Sequence, residues 1–177
     1  MKLAVLADSH LTGRTDTPQW AAFNWALSVF RAESVDCALL AGDITACGDM
    51  DSAMLARDAL DGCDTAWVAV PGNSDLRSPD MAEATARLFA PPFGGVSVGG
   101  VRALGIDTSR GGISPFERRR MNIQDHSSKL ILFSHHPAAR LDADSRAFIE
   151  NWIRSRESAG QSVLYWFSGH ELLGGRG

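Results

Sequence analysis

Short apolar runs that stop abruptly at polar residues, separated by stretches of helical periodicity, set the limits on what this chain can fold into. Lys2 to Ala7 ends at Asp8-Ser9-His10, Asp36 to Ala41 ends at Gly42-Asp43, and Thr65 to Val70 ends at Pro71-Gly72-Asn73-Ser74-Asp75. Between them, Pro18 to Phe30 places Trp20, Phe23, Leu27 and Phe30 at helical spacing, and Met50 to Leu60 reads as a second helix stopped by Gly62. Met81 to Phe89 reads as a third, stopped by Pro91-Pro92. The order β-α-β-α-β-α implies a mainly parallel sheet covered by helices. Past Gly94, paired glycines punctuate the chain. There, Val101 to Ile106, Lys129 to Phe133 and Ser162 to Phe167 read as strands, and Ala143 to Arg156 as an amphipathic helix.

The chain has 177 residues, 45% of them hydrophobic, with no internal repeat and no linker long enough to separate a pair of domains. One domain over residues 1–177 with a sizeable core is therefore expected. Seventeen basic against 21 acidic residues give a net charge of −4, and no basic patch stands out, which argues against nucleic acid as a partner. Cys37, Cys47 and Cys63 are odd in number and show no Cys-x-x-Cys spacing, so reduced thiols in the cytoplasm are expected. No stretch has the length of a signal core or a membrane span, so no membrane partner is expected either.

Five polar clusters fall at strand ends: the three above, Ser134-His135-His136-Pro137, and Ser168-Gly169-His170. Open α/β sheets bind ligands outside the carboxyl ends of their strands, so the five would form one site. Asp, His and Asn without a thiolate suit a borderline divalent metal. Asp8 and His10, two apart on an extended segment, would share a face and grip one ion, and the Asp43 carboxylate could bridge two. Two divalent ions bring four positive charges; Asp8, Asp43 and a bound hydroxide remove three. The remainder suits an incoming phosphoryl group, and a neutral Asn73 carbonyl preserves it.

Asp8-x-His10, Gly42-Asp43, Gly72-Asn73-x-Asp75, His135-x-Pro137 and Gly169-His170, in that order, resemble the motifs of the calcineurin-like metallophosphoesterases, and the short chain resembles their small bacterial phosphodiesterase branch. The resemblance implies an α/β fold, a two-sheet β-sandwich flanked by helices, around two divalent ions such as Mn, Fe or Zn. Asp8 and His10 would hold the first ion, Asp43 would bridge, and Asn73, His135 and His170 would hold the second. A metal-activated hydroxide would then attack phosphorus in line.

The chain departs from that family in three places. Leu172 stands where the last motif, Gly-His-x-His, has its second histidine, so the Asp8/His10 site is expected to be the weaker. Ser74 stands where many members have a histidine and would meet the substrate only as a weak acid. Strands that usually follow the last motif are not expected, which leaves Val163 to Phe167 as an edge open to a second copy or a partner.

Other residues keep two readings. His136 is either a substrate-facing catalytic group beside Asp43 and Asn73 or a solvated neighbour of His135. Asp75 is expected to orient loop groups rather than bind metal. Arg110, on a glycine-rich loop, is a candidate substrate contact. His126 and the run Arg118-Arg119-Arg120 read as surface. Two functions compete: a metal-dependent phosphohydrolase acting on a small phosphodiester or phosphomonoester, and a catalytically impaired binding or scaffold protein on the same fold.

Overall fold

A computed structural model describes residues 1–78, 89, 95–123 and 127–170. Strand β1 (Leu3–Leu6) leads to helix α1 (Pro18–Ala32), strand β2 (Cys37–Ala41), helix α2 (Met50–Asp61) and strand β3 (Ala66–Val70). These strands form one all-parallel sheet in the order β1-β2-β3. The second half supplies β4 (Gly95–Val98), β5 (Val101–Ile106), α3 (Pro115–Met121), β6 (Lys129–Ser134), α4 (Ala143–Ser158) and β7 (Ser162–Ser168). Its sheet runs β4-β5-β6-β7, antiparallel at β4-β5 and parallel elsewhere.

The expected two-sheet sandwich is present, and side-chain alternation builds it. Cys37 and Leu39 of β2 and Val68 and Val70 of β3 point to the second sheet, where they meet Val101, Ala103, Ile131 and Phe133. Their neighbours Ala38, Leu40 and Ala69 point the other way, into a core with Phe23, Leu27 and Phe30 of α1 and Ala53, Ala56 and Leu60 of α2. On the far side, Leu104, Ile106, Leu130 and Leu132 pack under Ile149 and Trp152 of α4. Strands buried on both faces read as continuous apolar runs, which is why β2 and β6 are plain in the sequence.

Helix starts follow their caps. Thr17 accepts from the Trp20 amide ahead of Pro18, Asp49 from Ser52, and Asp142 from Ser145.

Two elements go beyond the sequence reading. Strand β4 pairs with β5 across Gly99-Gly100, whose φ values of 55° and 79° are those of a two-residue hairpin loop. Helix α3 begins at Ser114-Pro115 and carries the three consecutive arginines, for which the sequence suggests a solvated face. Two of them are structural. Arg120 pairs with the buried Glu117 and bonds the Gly105 carbonyl, and Arg118 bonds the Ile113 carbonyl and covers the Phe148 ring. The expected helix Met81 to Phe89 lies outside the described residues except for Phe89, which is buried beside Trp67. His126, Glu171 and Leu172 also lie outside them.

Candidate metal centre

The loops after β1 and β2 are laced together. Asp8 N donates to Gly42 O (3.0 Å), His10 N to Asp43 O (3.0 Å), and Leu11 N to Ile44 O (2.9 Å). The chain here is not extended, which corrects the expectation for Asp8 and His10. Left-handed turns at both residues, φ 57° and 46°, bring them together rather than a shared strand face.

Six described non-glycine residues have positive φ: Asp8, His10, Ser34, Asp43, Asp64 and His170. Ser34 and Asp64 sit in the turns that follow α1 and α2. The other four are all expected metal ligands. Left-handed backbone at a residue with a Cβ costs free energy and persists only where the surroundings hold it, so its concentration here marks a functional site.

Asp43 is buried, and Ser74 backs its carboxylate from beneath. Ser74 N donates to Oδ1 at 2.8 Å and Ser74 Oγ to Oδ2 at 2.9 Å. This corrects the substrate-contact expectation for Ser74: its side chain is fully buried, and its hydroxyl proton is committed to Asp43. Beyond those bonds, Oδ2 faces His10 Nε2 at 3.7 Å and Oδ1 faces His135 Nε2 at 3.5 Å. Asp43 thus stands between two groups of donors. Close packing requires glycine next to it. A Cβ on Gly72 would collide with the Asp43 carboxylate, and one on Gly42 would lie 2.8 Å from His135 Cβ.

Asp75 organises the same loops without touching the donor atoms. Its buried carboxylate accepts from Thr45 N (2.7 Å), Thr45 Oγ1 (2.8 Å), Gly72 N (2.9 Å) and Ile44 N (3.3 Å). Burial pushes its carboxyl above the ordinary range, against the pull of these donors.

The second sheet supplies the imidazoles. His135 Nδ1 lies 3.0 Å from the Ala41 carbonyl, which can only accept, so the ring proton sits there and Nε2 keeps its lone pair. That lone pair faces Asn73 Oδ1 at 3.1 Å, His170 Nδ1 at 3.1 Å and the Asp43 carboxylate. His170 is tied to the first sheet by its own amide, which donates to Asp8 Oδ2 at 3.1 Å. Oxygen and imidazole donors converging in this way suit a divalent metal. Two donor groups result, Asp8, His10 and Asp43 in one and His135, His136 and His170 in the other, each with ligand atoms within 4.8 Å of one another.

All six expected ligands therefore meet at one end of the sandwich. His136 joins them and is buried, which removes the reading as a solvated neighbour. Its backbone N donates to Thr108 Oγ1 at 2.8 Å, and its Nδ1 lies 2.7 Å from the Thr108 carbonyl. Burial, then His170 and His135, pushes this imidazole below its ordinary range. Thr108 is a site residue that the sequence reading misses, although a signal exists: Asp107-Thr108-Ser109 is a polar cluster ending β5, like the other five. Arg110 is not among the donors. It lines an adjoining cleft of about 400 Å³ with Arg118, Asp142, Asp144 and Ser145.

The family model for calcineurin-like phosphoesterases matches residues 1–173. The chain belongs to this family. A solved dimetal phosphatase from Danio rerio shares the fold of this calcineurin-like phosphoesterase at a TM-score of 0.60 and 17% identity, over 95% of this chain and 80% of that one. A comparison with curated protein sequences gives no significant match. Family and fold support a metal-dependent phosphoesterase with two divalent ions, and the described residues include two groups of side chains that could hold a metal. No described helix is long and apolar enough to cross a membrane.

Proposed function

We propose that this chain is a phosphodiesterase acting on a small phosphorylated substrate in the cytoplasm. The observation that carries the reading is Asp43, with one carboxylate oxygen toward His10 and the other toward His135. In this reading Asp8, His10 and Asp43 hold one ion, and Asp43, Asn73, His135 and His170 hold the other, with Mn, Fe or Zn as the fitting metals. The Asp8/His10 site has fewer protein donors and fills second.

When bound, such a pair of ions makes water nucleophilic at neutral pH and polarises a phosphoryl oxygen. The protein itself supplies the arrangement. Ser74 fixes the plane of the Asp43 carboxylate, and Ala41 O keeps the His135 proton on Nδ1. Asn73 contributes an uncharged oxygen, so the net charge left at the centre stays near +1. That matches the single negative charge of a phosphodiester better than the two of a monoester. Ser74, committed to Asp43, offers no strong acid to the leaving oxygen, which favours esters with good leaving groups. Arg110 has no side-chain partner among the described residues and lines the cleft beyond Thr108, where it would meet the substrate's outlying polar groups.

The unpaired edge of β7, with Leu164 and Tyr165 exposed among the described residues, would be covered by a second copy or a partner chain.

The test is turnover of an activated aryl phosphodiester and of the matching phosphomonoester with Mn²⁺, Fe²⁺ or Zn²⁺. The diester should be cleaved faster, and Asp43→Ala should fall to background. A parent no faster than background, or an Asp43→Ala variant equal to the parent, overturns the enzymatic reading. Metal-free protein that co-purifies with a partner would favour the scaffold instead.

A further inference from the structure

The geometry points to His136 as a metal ligand of this chain, its Nε2 joining His135 and His170 in a three-imidazole set. This rests on the metal-dependent reading above and adds a donor to it, in place of a substrate-facing role for His136.

The position of the ring proton comes first. The His136 Nδ1 atom lies 2.7 Å from the Thr108 carbonyl oxygen, so in the neutral ring the proton is on Nδ1 and Nε2 carries a lone pair. The Ala41 carbonyl does the same to His135 at 3.0 Å. Metal-binding histidines almost always have such an outer partner on the other ring nitrogen, which sets tautomer and ring orientation. A ring in this state cannot donate a hydrogen bond from Nε2 to a phosphoryl oxygen, and its lone pair would repel one. It can bind a cation.

Convergence is the second observation. One ligand atom from each of His135, His136 and His170 lies within 4.8 Å of the others. His135 Nε2 and His170 Nδ1 are 3.1 Å apart, close to the roughly 3 Å between two nitrogens bound about 2.1 Å from one ion at a right angle. The His136 ring centre is 4.1 Å from that of His170 and 4.9 Å from that of His135.

The third is rigidity. Thr108 Oγ1 accepts from the His136 amide, and Ser134 Oγ donates to the His136 carbonyl, each at 2.8 Å. Backbone and ring are thus both held, and only 8% of the residue is exposed. Three imidazoles would bias this site toward Zn²⁺, Fe²⁺ or Co²⁺ and away from Mg²⁺.

The experiment compares imidazole nitrogen resonances of the parent with and without Zn²⁺, together with chelator competition and the cobalt(II) absorption spectrum of parent and His136→Gln. The His136 Nε2 resonance should move with that of His135 on zinc addition while both Nδ1 protons persist. His136→Gln should weaken that site at least about 10-fold and change the cobalt spectrum, with far-ultraviolet circular dichroism of the metal-free form unchanged. A His136 Nε2 that stays put while His135 moves overturns the inference, as does a variant that loses turnover yet keeps the parent's affinity and cobalt spectrum. A parent that takes up no divalent ion overturns the metal reading and this one together. If His136→Gln does not fold, the parent's nitrogen resonances decide alone.

Discussion

Asp43 has each carboxylate oxygen held by one donor of Ser74 and each facing a different histidine. Removing the Ser74 hydroxyl leaves the amide bond to Oδ1 intact and frees Oδ2, the oxygen toward His10. Outer partners of metal ligands are typically worth 10- to 100-fold in affinity or activity. Ser74→Ala should therefore weaken the Asp8/His10 ion by about 10-fold or more and leave the His135 side less affected, as read by isothermal titration with Mn²⁺. Equal weakening of both ions, or none, would show that Ser74 does not orient the carboxylate. The sequence points to Asp43 because Asp after a strand-ending Gly has few other purposes in such a set. It cannot show that Ser74 faces inward, because a one-residue difference in loop path decides whether a hydroxyl meets substrate or ligand.

At the scale of elements, the site depends on how loops are tied rather than on the strands they leave. Strands β2 and β6 are legible because burial on both faces produces unbroken apolar runs, and every expected ligand is legible as the polar stop of a mainly apolar run. The path of the loops is not. Strand geometry would make Asp8 and His10 neighbours, and instead two left-handed turns place them. Those turns are enforced by hydrogen bonds to Gly42 and Asp43, contacts distant in sequence that no local pattern encodes. Asp75 shows the cost of undoing such ties. Asp75→Ala would leave three amides and the Thr45 hydroxyl without their acceptor in a closed space, at about 1 kcal/mol or more for each. A loss of at least about 3 kcal/mol in urea unfolding is expected, along with loosened metal binding, since the Ile44-Thr45 and Gly72 segments flank Asp43 and Asn73. A change below about 1 kcal/mol would mean that water replaces the carboxylate and that the loops hold by other contacts.

Across the whole molecule, the centre joins the two halves of the sandwich. Asp8, His10, Asp43 and Asn73 follow strands of the first sheet, while His135, His136 and His170 follow β6 and β7 of the second. The direct hydrogen bonds crossing at this end include His135 to Ala41 and His170 to Asp8, and His135 Nε2 faces Asn73 Oδ1 across the same seam. Without cations, the Asp8 and Asp43 carboxylates and the His135 Nε2 lone pair crowd this junction with negative charge, so metal should bind the folded chain far better than the unfolded one. Binding of that kind stabilises by mass action, about 2.7 kcal/mol at a free metal concentration of 100 times Kd. For a chain of this size each kcal/mol raises the melting temperature by about 2–4 °C. Saturating Mn²⁺ or Zn²⁺ should thus raise it by roughly 5–11 °C over the chelated protein. The His135→Ala variant removes a donor from the second sheet and should lose most of that gain, while its metal-free melting temperature falls only by the cost of the lost packing. If metal left the parent's melting temperature unchanged, or if His135→Ala kept the full rise, the junction would not be held by metal, and the two sheets would owe their alignment to the apolar core between β2, β3, β5 and β6 alone.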